Sequence, residues 1–132
     1  GTSVAGSGSA TTSLSGVDYP TVVAVDDNFN IYVTERDNER VTLWAPNATT
    51  GSTVIADKML TKMYGLLLGS GTPSQAYISS EDRNAVYLWT FNSSTPDLNL
   101  TQVTSGSSTL NKPRGMAFDT FNNLYAFVFR SN

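Results

Sequence analysis

The chain has 132 residues, a net charge of −3 and a pI near 4.6, enough for one domain with a core but with no basic face to neutralise phosphates. It has neither cysteine nor histidine, which removes disulfides, thiolate or imidazole metal ligands, a thiol nucleophile and a Ser-His-Asp triad. No nucleic-acid partner, no membrane span and no cofactor is expected.

The first residues, Gly1-Thr2-Ser3-Val4, are not an initiator Met, so the chain is expected to be processed or to be a piece of something longer. Thr2-Ser3-Val4-Ala5 reads as a short outer strand over 1–6, followed by a Ser/Gly-rich connection to Leu14. Next come Tyr19-Pro20-Thr21-Val22-Val23-Ala24-Val25-Asp26, an Asp/Asn turn to Asn30, Ile31-Tyr32-Val33-Thr34-Glu35, and Arg40-Val41-Thr42-Leu43-Trp44. Alternation along these runs assigns every second residue to one face of a strand, and Asp26-Asp27-Asn28 has the chemistry of a tight hairpin. Thr53-Val54-Ile55-Ala56 supplies a fourth strand.

The same order then returns. Tyr64-Gly65-Leu66-Leu67-Leu68, Ala76-Tyr77-Ile78-Ser79, Ala85-Val86-Tyr87-Leu88-Trp89 and Thr101-Gln102-Val103-Thr104 form a second unit. Tyr77, Val86 and Trp89 repeat Tyr32, Val41 and Trp44 at one spacing. Pro113-Arg114-Gly115-Met116-Ala117-Phe118-Asp119 and Asn123-Leu124-Tyr125-Ala126-Phe127 open a third. Pro20, Ala24, Asp26, Asn30 and Tyr32 match Pro113, Ala117, Asp119, Asn123 and Tyr125 at a single offset. A unit of four short strands in about 45 residues is the length of a propeller blade. The predicted fold is all-β: four-stranded antiparallel blades in an incomplete ring or arc. The units are an outer strand 1–6, blades 14–57 and 60–106, and a partial blade 110–132.

These residues resemble the NHL repeat: a Pro, a small-hydrophobic strand, an Asp, a turn, an Asn-hydrophobic-Tyr-Val strand, then an acid, Asn, Arg-Val and Trp. The first unit carries Glu35, Asn38, Arg40, Val41 and Trp44 at those places, whereas the second has Ser80, Arg83 and Ala85 for the acid, Asn and Arg. The resemblance implies a propeller, but it does not single out a function, because such propellers include binding, scaffolding and catalytic members.

Three sequons occur, at Asn47-Ala48-Thr49, Asn92-Ser93-Ser94 and Asn99-Leu100-Thr101. All fall between the third and fourth strands of a unit, so N-linked glycans there would crowd one side of the arc and leave the other bare. Asp26, Asp27, Glu35 and Asp37 admit a calcium or catalytic reading. Turn acceptors and an intrablade bond from Glu35 to Arg40 explain them better. Trp44 and Trp89 are read as packing between blades rather than as sugar platforms. Phe127 and Phe129 are assigned to one face of the last strand, uncovered, and with Val4 they mark an inter-subunit edge.

The expectation from sequence is therefore a secreted, extracellular, non-enzymatic module that binds a protein or assembles with copies of itself. In the second case copies complete blades between subunits in a ring or a fibre. The alternative is a fragment of a propeller enzyme, similar to amidating lyases or gluconolactonases.

Overall fold

The computed structural model describes residues 1–70, 74–92, 100–103 and 110–129. The described residues contain ten strands and no helix. The first sheet is a meander of β1 (Pro20–Val25), β2 (Ile31–Glu35), β3 (Arg40–Trp44) and β4 (Ser52–Ala56). The second repeats it with β5 (Met63–Leu68), β6 (Gln75–Ser80), β7 (Ala85–Thr90) and β8 (Leu100–Gln102). The third holds β9 (Pro113–Phe118) and β10 (Leu124–Val128). Every pairing is antiparallel, and the three sheets form an incomplete propeller-like arrangement.

The turns explain why the chain folds back where it does. Asp26 accepts at one carboxylate oxygen from the backbone N–H groups of Asn28 and Asn30, both at 2.9 Å, and its carbonyl accepts from Phe29 N–H at 3.0 Å. Asp119 makes the same set with Phe121, Asn123 and Asn122. Left-handed residues recur at matching places. Tyr19, Lys62 and Lys112 precede the first strand of each sheet with φ of 43°, 44° and 51°, and Glu39 and Asn84 close the second turn with φ of 50° each. Residues 36, 81 and 129 each donate a backbone N–H across to the carbonyl of that leading residue, at 3.1–3.2 Å. The repeat is thus written into the backbone as well as the side chains.

Between the first and second sheets, alternation puts Tyr32, Val41 and Ile55 against Leu66, Ile78, Ala85 and Tyr87, with Leu60 from the connection and Trp89 at the rim. Burying a side chain of this size stabilises by about 1.5–3 kcal/mol relative to exposure. The second sheet meets the third through the Tyr77 and Phe118 rings, edge to face with centroids 5.3 Å apart, and through Ser79 Oγ, which donates to the Arg114 carbonyl at 2.8 Å.

Two expectations are corrected. Residues 1–6 form no strand: they run as bends, with Gly6 at φ 79° and Gly8 at φ 83°. A strand exists only beside a hydrogen-bonding neighbour, and among the described residues none lies alongside this segment. It lies against the outer side of the first sheet. Trp89 packs between sheets, but Trp44 does not. Its ring is buried on the outer side of the first sheet, where Gly51 approaches so closely that a Cβ there would sit 2.8 Å from Cε2.

Candidate interaction surface

The third sheet has one covered and one open face. Leu124 pairs with Phe118 and Ala126 with Met116, and these side chains are partly covered. Tyr125 pairs with Ala117 on the opposite face, and Phe127 stands over Gly115, its Cδ2 3.4 Å from where a Cβ would be. Tyr125 occupies the repeat position of Tyr32, and both hydroxyls donate to the turn aspartate at 3.3 Å. Yet Tyr32 is 5% exposed and Tyr125 55%, with Phe127 at 64%. The difference is what lies opposite: the second sheet covers Tyr32, and among the described residues nothing covers Tyr125. The far edge of β10 is likewise unpaired among the described residues.

At the other end of the array lies an apolar groove of about 500 Å³ on the outer side of the first sheet. Val4, Pro20, Val23, Val25, Ile31 and Val33 line it. Val23 and Val25 are exposed because they alternate away from the inter-sheet core. Val4, expected at an inter-subunit edge, is exposed at the wall of this groove rather than on a strand.

Phe129 departs from its expected place beside Phe127. The β9–β10 register is irregular between Ala126 and Val128, and Phe129 lies beyond the strand. Its ring stacks on the Arg114 guanidinium, 4.6 Å from centroid to Cζ, and Arg114 also lies 4.6 Å from the Tyr64 ring. Arg36 donates to the Tyr64 hydroxyl at 3.1 Å and lies 3.6 Å over the Tyr19 ring. Glu81 and Asp37 neutralise the two arginines at 2.9 and 2.7 Å. Hydrogen bonds from Arg36 to Asp37 and Tyr64 hold its pKa above the ordinary value. This aromatic–arginine ladder links all three sheets. Arg36 stands where Glu81 and Phe129 stand, and Arg114 where Tyr64 stands, but the residue types differ from sheet to sheet, so the sequence gives no signal for the ladder.

Of the four acidic candidates, Asp26, Glu35 and Asp37 are engaged within the fold. Glu35 is fully buried; its Oε2 accepts from Asp18 N–H, Asn38 Nδ2 and the Arg40 guanidinium at 3.2, 2.6 and 3.0 Å, and its Oε1 from Thr42 Oγ1 at 2.8 Å. Arg40 also donates to the Thr12 and Ser13 carbonyls, at 2.7 and 3.1 Å. The intrablade Glu35–Arg40 bond is present, and it also ties the leading segment to the sheet. Asp27 is exposed and Asp37 pairs with Arg36. Among the described residues no three acidic side chains converge as a metal ion would need.

Asn47 and Asn92 stand exposed in the turns after β3 and β7. Their φ values, 62° and 54°, are left-handed, where Asn is favoured over other side chains whether or not it carries a glycan. Asn99 lies outside the described residues.

Burial opposes ionisation of Asp26, but hydrogen bonds from the Asn30 amide, from the Asn30 and Asn28 backbone and from Tyr32 outweigh it and lower its pKa. The Asn123 amide and backbone do the same for Asp119. Burial and the Asp26 carboxylate push the Tyr32 phenol up to about 12. A carboxylate whose pKa is lowered on folding adds stability that is complete above its unfolded value and fades as pH falls through the folded one. The thermal midpoint is therefore expected to fall as the pH drops below 3.8, the ordinary aspartate value. Asp26→Asn should start lower at neutral pH and lose less on acidification. An unchanged acid profile in that variant, followed by circular dichroism, would remove Asp26 from the explanation.

Comparison of the sequence with models of known protein families gives no match, and comparison with curated protein sequences gives none either.

Proposed function

We propose that the chain is a secreted, non-enzymatic propeller module of the NHL-repeat kind that binds protein or builds an extracellular assembly. The observation that carries this reading is the open face of the third sheet. Tyr125 and Phe127 expose aromatic surface in a position where the same repeat residue, Tyr32, is covered by a neighbouring sheet. Exposed apolar faces of this kind favour a protein partner. The acids support a non-enzymatic role, since Asp26 and Asp119 are engaged by hydrogen bonds in their turns and Glu35 by four at the end of β2. The exposed sequon residues Asn47 and Asn92 support an extracellular setting, with N-linked glycans on the turns.

The test is to secrete the chain from eukaryotic cells. Intact mass before and after glycan removal should show carbohydrate on Asn47 or Asn92. Protein binding, to itself or to an extracellular protein, should be lost in Phe127→Asp. A bare mass together with no binding that depends on Phe127 would sink the proposal.

A further inference from the structure

We infer that the open face of the third sheet docks into the groove on the first sheet of a second copy of this chain, head to tail. The inference rests on the reading of that face as protein-binding, and it names the partner.

Within the chain, the second sheet presents one face to the first sheet and the other to the third. The first sheet gives Tyr32, Val41 and Ile55 to the second, which answers with Leu66, Ile78 and Tyr87. The second sheet then gives Tyr77 to Phe118 of the third. The face left over at one end, with Ala117, Tyr125 and Phe127, is of the forward kind, because Tyr125 stands where Tyr32 and Tyr77 stand. The groove at the other end, with Val23, Val25, Ile31 and Val33, is of the backward kind, because Ile31 and Val33 stand where Ala76 and the buried Ile78 stand in the second sheet. One molecule therefore carries both halves of a contact that it already makes internally; among the described residues no sheet covers either, although the leading segment and Val17 flank the groove and bury Val33, leaving Val23 and Val25 exposed.

The chemistry of the two surfaces agrees. The groove is lined by aliphatic, Thr and Ser side chains without a charge. The open face offers two aromatic rings, with one carboxylate at its margin, Asp119, which accepts from the Tyr125 hydroxyl. Phe127 also departs from its counterparts in an informative way. At its place the first two sheets have Thr34 and Ser79: Thr34 bonds within its sheet to Thr21, whose hydroxyl donates to the Met63 carbonyl of the second sheet, and Ser79 donates to the Arg114 carbonyl of the third, so the apposed sheets lie close. A phenyl ring cannot lie flush in such a contact. It needs a recess, and the groove of about 500 Å³ is one. Because the two surfaces differ, the contact is heterologous. Copies add in one direction, closing into a ring or continuing as a filament according to the rotation between them.

Sedimentation velocity of the purified chain over a wide concentration range tests this directly. The wild type is expected to grow beyond a monomer as concentration rises. Phe127→Asp and Val25→Asp should each weaken association by roughly a hundredfold or more, since each places a charge in an apolar contact. Mixed together they should form a two-chain species and nothing larger, because each retains one intact surface. Tyr125→Lys and Val23→Lys replace any variant whose circular dichroism shows unfolding. A wild type that stays monomeric throughout overturns the inference, as does a variant that associates like the wild type. A monomeric chain that binds a different extracellular protein through Phe127 overturns the inference and leaves the protein-binding reading standing.

Discussion

Glu35→Ala is expected to lower the stability of the chain by about 3–5 kcal/mol, the range for removing one member of a buried ion pair. The carboxylate is fully buried and accepts four hydrogen bonds. Without it Arg40 is left with an uncompensated charge, the Thr42 hydroxyl loses its acceptor and Asp18 N–H faces empty space. The leading segment is also loosened, because Asp18 and the Arg40-bound carbonyls of Thr12 and Ser13 share this site. Urea unfolding should show the midpoint falling with the slope unchanged. The molecule supplies its own control. The second sheet has Ser80 and Ala85 where the first has Glu35 and Arg40, and both are fully buried there. The double variant Glu35→Ser/Arg40→Ala should therefore be less destabilised than Glu35→Ala, since no charge is stranded. An unchanged midpoint in Glu35→Ala would show that the pair contributes nothing net.

Gly65→Ala should be nearly as damaging, by steric exclusion. A Cβ at position 65 would lie 2.1 Å from the Arg114 carbonyl oxygen and 2.6 Å from Ser79 Oγ. Neither can yield easily. The carbonyl belongs to the β9 backbone, and the hydroxyl donates to that same carbonyl. The added methyl must push the third sheet away from the second. Overpacking of this kind costs about 1–3 kcal/mol, and the broken hydroxyl bond adds about 1 kcal/mol. The effect should be local. Hydrogen exchange is expected to rise in β9 and β10 while β1–β4 keep their protection. Wild-type exchange throughout the third sheet would rule out the close approach of β5 and β9.

The parts of the fold legible in the sequence are the local ones. Asp26 and Asp119 mark their turns because the carboxylate reaches backbone two and four residues on, and Asn30 and Asn123 complete the same local bonds. The Glu35–Arg40 bond spans a single hairpin and could be read the same way. What required more of the molecule was not legible. Residues 1–6 have strand-like composition, but a strand is decided by a neighbour. Strict alternation places Phe129 beside Phe127, and the irregular register near Val128 breaks that alternation. The Arg36–Tyr64 and Arg114–Glu81 contacts join equivalent places at successive sheet boundaries, but the residues are far apart in sequence and change type from sheet to sheet, so no motif announces them. The groove formed by Val23, Val25, Ile31 and Val33 was half legible. Alternation gives these residues a common face, but only the fold shows that among the described residues no sheet covers it.

The strand order within each sheet has a consequence for the sequence of events during synthesis. Every strand in the two complete sheets pairs with its immediate neighbours in the chain. Each sheet can therefore close from hairpins alone, without waiting for a distant segment to arrive, which keeps the loop-closure penalty small. A chain emerging from its N-terminus can complete the first sheet before the second exists, and then offer it as a template on which the second settles. On this ordering the molecule grows like a stack, and the surface exposed at its leading end is always the one that accepts the next layer.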